Sequence, residues 1–387
     1  MIKNKLKKFV ILLQDYGKYF QRSYMRYLEK LKFQDPRRVS IYSKVHLTSE
    51  QEKQIDNFFI KNYGKKVPHI WHRHYTAFTG KFDINYFPEL LYIPEFEIFM
   101  NYNRRYATAF SDKNILATLA QTVGVKVPHF YVSCAAGCFV DSNYNYISRS
   151  EAEHILNNIG EAFIKPTTSS QSGQGCAVIN ITNGIDTTSG LSVSKIIDNL
   201  GDNFVVQERL KCHESISKIY PHSVNTFRII TYRWKDEICH TPFILRIGAN
   251  GKNLDNAHAG GIFIAVNDDG TLHKTAFTEF KKQYTKHPNT GFCFEGHVIK
   301  GVQEMINAAK RMHASIPQLG IYNWDFTIDE NGAPVLIEAN VMGGGMWIIQ
   351  FAHGKGLFGE RTAEILRWMR KMKSIPYSKW HLYGFGR

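Results

Sequence analysis

The spacing of apolar residues predicts a helix at the start of the chain. In residues 1–33, apolar side chains recur at roughly helical spacing among nine lysines and arginines. This stretch therefore predicts a basic amphipathic helix, broken near Gly17. The helix is expected to pack on the rest of the protein; the alternative is that it rests on an anionic membrane surface.

Aromatic residues and prolines are frequent between residues 40 and 105. A short helix is predicted over residues 49–63, because its start carries the capping-box spacing Thr48-x-x-Gln51 or Ser49-x-x-Glu52. Residues 65–97 follow with no clear period, and we expect them to form an irregular, well-packed surface.

From Ser111 onward the pattern predicts helices mixed with strands. A helix capped by Ser111 or Asp112 ends at Gly124. Further helices are predicted in AEHILNNIG, SVSKIIDNL, HVIKGVQEMINAAKRMH and ERTAEILRWMRKM, and strands in EAFIKP, CAVINI, NFVVQERL, TFRIITYRW, EICHTPFILRIG and GGIFIAVNDDGTLHKTAF. The segments NLGDN and RLKCHES are the expected seams between subdomains.

The stretch from Ile321 to Gly345 contains the dipeptide Asn331-Gly332, which tolerates positive φ at both central turn positions and so predicts a two-residue β-hairpin. Counting outward from that turn predicts three facing pairs: Asp325 with Glu338, Phe326 with Ile337, and Ile328 with Val335. Period-2 alternation then predicts a polar face of Asn323, Asp325, Glu338 and Asn340, and an apolar face of Trp324, Phe326, Ile328, Val335, Ile337 and Ala339.

The facing carboxylates of Asp325 and Glu338 would lie about 5 Å apart at Cβ and repel each other. With Asn340 they offer the oxygen ligands that suit magnesium, so these three residues are the predicted metal ligands. The alternative is that the acids are solvated or paired with lysines and arginines. The run Gly343 to Gly345 favours the metal, because bare backbone allows close approach of a ligand.

Length, cysteine content and charge bound the class of protein. A chain of 387 residues predicts two or three domains. There is no apolar run of about 20 residues and no signal-peptide core, so we expect a cytoplasmic location. Six scattered cysteines indicate reduced thiols. The net charge of +14 indicates an anionic partner. The basic aromatic segments RRYATAFSDK and WHRHY match no nucleic-acid-binding motif, so no specific nucleic acid is expected.

Two lysines are candidate phosphate ligands. Lys165 alternates with Ile164 on a predicted strand and precedes the loop TTSSQSGQG, whose small residues let backbone N–H groups approach phosphates. The Walker A pattern is absent. Lys113 lies just inside a helix start, where a bound phosphate would offset its unfavourable position. Each feature taken singly also fits a flexible loop or a solvated lysine.

The segment VVQERLKCHES offers a nucleotide-base and ribose site. Glu208 or Glu214 could bind ribose hydroxyls at the end of a buried strand, and the backbone at Arg209 and Leu210 could hydrogen-bond an adenine edge. The alternative is a solvated strand end.

Arg228 and Arg246 each lie alone in strongly apolar strands, which indicates a bound carboxylate or phosphate, or an internal acid. The loop GANGKNLDNAHAGG follows Arg246 and is too long for a hairpin, so it is expected to be functional or disordered.

Taken together and in order, these motifs resemble the ATP-grasp superfamily. The segments WHRHYTAFTGKFDINYFPELLY, FSDKN, NTFRIITY, LDNAHAGGI and YNWDFTIDENGAPVLIEANVMGGG resemble its sugar-transfer-associated group, over roughly Trp71 to Met372. The resemblance implies an α+β fold in which two subdomains grip ATP, with residues 1–105 as a helical and irregular extension. The expected divisions are residues 106–210 for the small subdomain and residues 211–387 for the large one.

The resemblance also implies a role for each candidate residue. Lys113 and Lys165 would contact the phosphates of ATP, and residues 207–210, from Gln207 to Leu210, would hold adenine with Glu214 on the ribose. One or two magnesium ions would bind Asp325, Glu338 and Asn340. Arg228 or Arg246 would stabilise the oxyanion of the reaction.

These roles predict an ATP- and magnesium-dependent carboxylate–amine ligase that works through an acyl phosphate. Its expected substrates are a small-molecule or saccharide carboxylate, such as a uronic acid, and an amine, in the synthesis of sugars or surface polysaccharides. Two alternatives stay open: a kinase of a sugar hydroxyl, and a non-catalytic module that binds anionic glycan or nucleotide.

Overall fold

The computed structural model describes residues 2–167, 175–252 and 254–387. The helices are α1 Ile2–Lys32, α2 Pro36–Tyr42, α3 Ser49–Tyr63, α4 Ile70–Thr79, α5 Glu89–Leu91, α6 Ile98–Met100, α7 Arg104–Ala109, α8 Lys113–Thr122, α9 Arg149–Leu156, α10 Val193–Leu200, α11 Glu214–Ser217, α12 Val302–Ser315, α13 Trp347–His353 and α14 Thr362–Lys373. A π-helical turn, Tyr92–Glu97, joins α5 to α6, and 3₁₀ turns occupy Ala257–Ala259, Gly359–Arg361, Tyr377–Leu382 and Gly384–Gly386.

The strands form two antiparallel sheets. They are β1 Phe130–Ala135, β2 Cys138–Asp141, β3 Tyr146–Ile147, β4 Gly160–Pro166, β5 Ala177–Thr182, β6 Ile185–Asp186, β7 Phe204–Glu208, β8 Thr226–Trp234, β9 Glu237–His240, β10 Phe243–Ile247, β11 Ile262–Val266, β12 Leu272–Phe277, β13 Gln283–Tyr284, β14 Ile321–Ile328 and β15 Pro334–Asn340. One sheet has the order β3-β2-β1-β7-β4-β5-β6. The other has the order β13-β12-β11-β10-β8-β14-β15, with β9 on β8. The fold is therefore α+β.

The larger sheet is covered on both faces. Alternation along β8 sends Phe227 and Ile229 into one core, with α12, and sends Ile230 and Tyr232 into a second core. That second core also contains the N-terminal helices together with α13 and α14. The smaller sheet buries a third core against α9 and α10. The N-terminal helices therefore share a core with one face of the larger sheet.

Several predicted elements are confirmed, and others need correction. The capping box Thr48-x-x-Gln51 is present at α3, and Asp112 is the N-cap of α8. Helix α1 is continuous through Gly17, so the predicted break is wrong. The segment NLGDN joins α10 to β7 within the smaller-sheet region and is not a seam between the sheets. The segment RLKCHES does lead from one sheet to the other.

Residues 65–97 form helices and buried turns, which corrects the expected irregular surface. In α4 the side chains of Trp71, His72, His74 and Tyr75 are all buried. A helix that is buried on most of its faces has no polar stripe, so its period is not visible in the sequence.

The six cysteines are free thiols, as predicted. No helix in the described part of the chain is long and apolar enough to cross a membrane.

Candidate active site

A cavity of ≈ 870 Å³ lies between the two sheets and is lined by residues of both. The structure places eleven of the predicted site residues in its wall: Lys113, Lys165, Gln207, Glu208, Arg209, Leu210, Arg228, Arg246, Asp325, Glu338 and Asn340. Glu214 is not among the lining residues that the structure describes. Strands β8, β10, β14 and β15 of the larger sheet provide the two arginines, both acids and the asparagine.

The hairpin β14–β15 has the predicted pairs at the site but not near the turn. Asp325 faces Glu338, as the sequence predicts, and Asn323 faces Asn340, in agreement with their predicted place on one face. Beyond Asp325 the register shifts by one residue, so that Phe326 faces Leu336, and the predicted pairing of Phe326 with Ile337 is wrong. A β-bulge at this point turns Ile337 into the cavity wall, while Leu336 joins the apolar core.

The turn itself explains the shift. The predicted two-residue turn is wrong: the N–H of Asp329 donates to the carbonyl of Ala333 (2.9 Å), and the N–H of Gly332 donates to the carbonyl of Asp329 (2.9 Å). Three residues thus lie between Asp329 and Ala333. Only Gly332 takes a positive φ, of 84°, whereas Asn331 does not. The Asp329 carboxylate accepts the N–H of Asn331 and of Ala333, which favours this longer turn. At the strand end Ile328 accordingly faces Pro334, and not Val335.

Asp325 is fully buried and is neutralised by two arginines. Arg228 donates from Nε and Nη2 to its two carboxylate oxygens, the latter at 2.8 Å, and Arg246 donates from Nη2 at 3.1 Å. Burial alone would raise the pKa of Asp325, but the charges of Arg228 and Arg246 outweigh it and hold the pKa at about 2. The sequence left open whether these arginines bind a ligand carboxylate, a phosphate or an internal acid, and the structure shows an internal acid, Asp325, as their partner.

Glu338 is the acid with unfilled ligand capacity. Its side chain is 31% exposed to the cavity, with Lys113 Nζ at 3.9 Å and Asn340 Nδ2 at 3.3 Å. Burial and the neighbouring charge of Asp325 raise its pKa, so a nearby cation would stabilise its ionised form.

The donor set was compared with the needs of a metal ion. The described residues contain no group of three or more His, Cys, Asp or Glu side chains suited to hold one. Two carboxylates and an amide fit magnesium, which completes its shell with water and phosphate oxygens. Because the Asp325 carboxylate is already paired with Arg228 and Arg246, Glu338 and Asn340 are the residues best placed to reach such an ion.

Two lysines line the cavity next to Glu338. Lys165 follows Phe163 on the cavity face of β4, whereas Ile164 faces the core of the smaller sheet. Its side chain is buried, and burial together with the charge of Lys113 lowers its pKa to about 8. A buried ammonium of this kind is stabilised by an anionic ligand. The small-residue loop that follows, residues 168–174, lies outside the described residues.

A largely apolar part of the wall lies at the end of β7. Its apolar side chains are Leu210, Phe163, Val178 and Ile337, and Gln207 lies next to them.

The acidic and basic side chains next to Gln207 have partners of their own. The Glu208 carboxylate accepts the N–H of His129 (2.8 Å), and the Arg209 side chain pairs with Glu161. The N–H of Glu208 also donates to the carbonyl of His129 (2.8 Å), so the predicted backbone contact with a planar base is limited to Arg209 and Leu210.

The ribose prediction for Glu214 does not fit the geometry. Glu214 begins helix α11, its side chain is 71% exposed, and it pairs with Lys218 one turn later. Leu210 still lines the cavity, but Glu214, four residues further along the chain, does not. Glu214 therefore belongs to the protein surface.

We call the part of the cavity next to the loop after Arg246 its far end. It contains polar residues that the sequence motifs did not assign. His222, Asp255, Asn256, His258, Glu279 and Trp347 line it. Glu279 accepts a hydrogen bond from His258 Nδ1 at 2.6 Å, and this bond raises the pKa of His258. Asp255 is buried and accepts the N–H of Thr226 (2.9 Å). The length of the loop after Arg246 was the signal for Asp255, Asn256 and His258, whereas no local pattern indicated Glu279 or Trp347.

The glycine run closes one side of this end. The Glu97 carboxylate accepts the N–H of Gly343 (2.8 Å) and of Gly344 (3.3 Å), which fixes the loop after β15. Gly343 has a φ of 73°, and a Cβ at Gly344 would lie 2.1 Å from Asn323 Nδ2. Close packing of backbone against Asn323 thus requires glycine here.

Comparison with known proteins gives one family match. The family described as sugar-transfer associated ATP-grasp matches residues 95–365. Among solved structures, the chain is similar to the ADP complex of an N5-carboxyaminoimidazole ribonucleotide synthetase, at 12% identity and a TM-score of 0.37, over 61% of this chain and 46% of that chain. It is also similar to the L-amino acid ligase of Bacillus licheniformis, at 12% identity and a TM-score of 0.38, over 69% and 49%. The chain thus spans about half the length of these structures. No curated protein sequence matches it.

Proposed function

Because the chain belongs to the sugar-transfer-associated ATP-grasp family, we propose that it is an ATP- and magnesium-dependent ligase that joins a carboxylate to an amine. The observation that carries this proposal is the convergence of Lys113, Lys165, Glu338 and Asn340 in one cavity between two sheets. Two ammonium groups and a set of oxygen ligands are what a triphosphate and its metal ion need.

The first step transfers the γ-phosphoryl group. A carboxylate oxygen of the substrate attacks the γ-phosphorus, the bond to the β-phosphate oxygen breaks, and ADP leaves an acyl phosphate behind. Lys165 and Lys113 compensate the negative charge of the phosphates, and Glu338 and Asn340 would hold magnesium. When bound, this ion neutralises the charge on the transferred group.

The second step forms the amide at the far end of the cavity. The amine attacks the acyl carbon, inorganic phosphate leaves, and the amine loses a proton. The pair of His258 and Glu279 is our candidate acceptor for that proton, because the hydrogen bond to Glu279 raises the pKa of His258 and so makes its imidazole a stronger base. Arg246 extends from Asp325 toward Asn256 (3.1 Å) and so lies between the metal ligands and this end, where it can stabilise the oxyanion.

The substrates follow from the charges of the two ends. Arg228 and Arg246 both pair with Asp325, but two guanidinium charges exceed its single negative charge, which suits a carboxylate such as a uronic acid; Glu279 suits an amine that arrives protonated. The family name supports a role in the synthesis of sugars or surface polysaccharides. The division into an extension (1–105), a small subdomain (106–210) and a large one (211–387) remains our proposal, supported by the two separate sheets.

The test is an assay of ADP and phosphate with panels of uronic acids and amines. A ligase releases both products only when a carboxylate and an amine are present together, and the product gains the mass of an amide. ADP formed while phosphate stays on a sugar would instead establish a kinase. ATP binding with no turnover on any pair would support a binding module.

A further inference from the structure

Helix α1 turns its apolar side outward. Ten of its large apolar or aromatic side chains are between 39% and 64% exposed: Phe9, Val10, Leu12, Leu13, Tyr16, Tyr19, Phe20, Tyr24, Tyr27 and Leu31. They recur every three or four residues, so they form one continuous stripe, about 33 Å long at 1.5 Å per residue. A stripe of this size on a protein surface marks an interaction site.

The opposite side of α1 is charged, and it is this side that packs on the protein. Arg22 and Arg26 both pair with Glu95, and the Arg22 guanidinium lies 4.7 Å from the centroid of the Phe99 ring. Asp15 accepts the N–H of Tyr377 at 2.6 Å. Because these contacts are specific and the Glu95 carboxylate is buried, they orient the helix with its apolar stripe in solvent.

We propose that α1 lies on the surface of an anionic lipid bilayer, with this stripe in the interfacial region. Two of the nine basic residues in residues 1–33, Arg22 and Arg26, pair with Glu95, but seven lysines remain against two acids within this stretch, and four of the lysines precede the stripe. Tyrosine and phenylalanine favour the depth of the lipid headgroups, since their rings are apolar and the tyrosine hydroxyl reaches water. A basic helix with one broad apolar face is the pattern of interfacial helices.

The breadth of the stripe argues against a two-helix seam with a second copy. A coiled-coil seam uses two positions in seven, whereas this stripe also takes the flanking positions Leu12, Tyr19 and Tyr24. Ser23 interrupts the nearest heptad pattern, Phe9-Leu13-Tyr16-Phe20, where an apolar residue would be needed. A flat lipid surface makes no such demand on register.

Helix α1 also contacts the wall of the cavity. The ammonium of Lys32, at its C-terminal end, lies 6.0 Å from the centroid of the Trp347 ring, and Trp347 lines the far end of the cavity. Docking through α1 would therefore hold the far end of the cavity close to the lipid surface.

The test is flotation of the full chain with vesicles of phosphatidylcholine, with or without about a quarter phosphatidylglycerol. We expect binding to the anionic vesicles, weakened by salt, and binding to the neutral ones at least about tenfold weaker. The variant Leu13→Gln/Phe20→Gln/Tyr24→Gln should lose the binding while keeping the melting temperature, because these side chains are exposed. The matched control Ile60→Gln/Val298→Gln/Leu382→Gln removes exposed apolar groups elsewhere and should bind as the wild type does.

Light scattering without lipid supplies the opposing outcome. A dimer that the Leu13/Phe20/Tyr24 variant abolishes, together with no vesicle binding, would overturn the proposal in favour of a second copy. Equal binding of the wild type and of this variant would overturn it too. None of these readouts needs ATP turnover, so they stand apart from the test of the ligase.

Discussion

Asp325 and Glu338 face each other across β14 and β15, but only Asp325 is neutralised by arginine. The two acids thus have different chemical states: Asp325 is held as an anion deep in the sheet, while burial and Asp325 raise the pKa of Glu338. A ligand cation would interact with Glu338 first, because its side chain is exposed to the cavity.

Replacing Glu338 by Gln should abolish ATP turnover and leave the fold intact. The amide keeps the size and the hydrogen bonding of the side chain but cannot supply a charged oxygen to magnesium. Steady-state ADP release measures the loss, and circular dichroism melts check the fold. Turnover like that of the wild type would contradict the metal assignment. Glu214→Gln is the matched control on the surface and should leave turnover unchanged.

Replacing Arg228 by Met should destabilise the protein by about 3 kcal/mol, because it leaves the buried Asp325 with only Arg246. The double variant Arg228→Met/Asp325→Leu removes the lone charge as well, and Arg246 keeps Asp255 at 3.6 Å. We expect the double variant to be more stable than the single one in urea denaturation. If the separate costs of Arg228→Met and Asp325→Leu simply add in the double variant, the ion pair does not couple these residues.

The hairpin shows what the sequence could and could not predict. The facing of Asp325 and Glu338 follows from alternation, which is a local property of strands. The bulge at Ile337 depends on the Asp329 carboxylate, which accepts two backbone N–H groups and lengthens the turn. Turn propensity for Asn-Gly contains no information on that side chain, so the pairs near the turn were predicted wrongly.

The residues at the far end of the cavity could not be predicted from the sequence, for a different reason. Glu279 and Trp347 come from distant parts of the chain, and both line the cavity beside the core that the N-terminal helices share with the larger sheet. No local pattern records such a contact. The lysines and the metal ligands could be predicted because they belong to short local motifs, and the ATP-grasp resemblance then implied their roles.

The bulge can be tested with neighbouring alanine substitutions. Leu336→Ala should cost about 2–5 kcal/mol, because Leu336 is buried in the core against Phe326. Ile337→Ala should cost much less stability and instead weaken ATP binding, because Ile337 lines the cavity. Urea denaturation and nucleotide titration separate the two effects. If Ile337→Ala instead destabilised the protein more than Leu336→Ala, the result would contradict the bulge and favour the regular register.

ATP affinity should depend on the charge of Lys165. Burial and Lys113 lower its pKa to about 8, so in the free protein the ammonium is present below that pH and lost above it. ATP binds best to the ammonium form, so its Kd should rise as pH increases, approaching about tenfold per unit well above the pKa. Lys165→Arg stays charged and should flatten this dependence. Calorimetric titrations at several pH values measure it, and parallel curves for both proteins would exclude Lys165.

The glycine run, Gly343 to Gly345, allows a test of the loop that closes one side of the far end of the cavity. Gly344→Ala places a Cβ 2.1 Å from Asn323 Nδ2, and Asn323 is buried and donates to the carbonyl of Asn340 (3.2 Å). The loop must therefore move, which pulls Gly343 and Gly344 away from Glu97 and disturbs Asn340. At Gly345 a Cβ would only meet the edge of the Trp347 ring at 3.3 Å, which a small shift relieves. We expect Gly344→Ala to lower kcat at least about tenfold, since misplacing the proposed metal ligand Asn340 by about 1 Å would be enough for that, and Gly345→Ala to retain most activity. Equal activity of the two variants would show that the contact of Gly344 with Asn323 does not position the site.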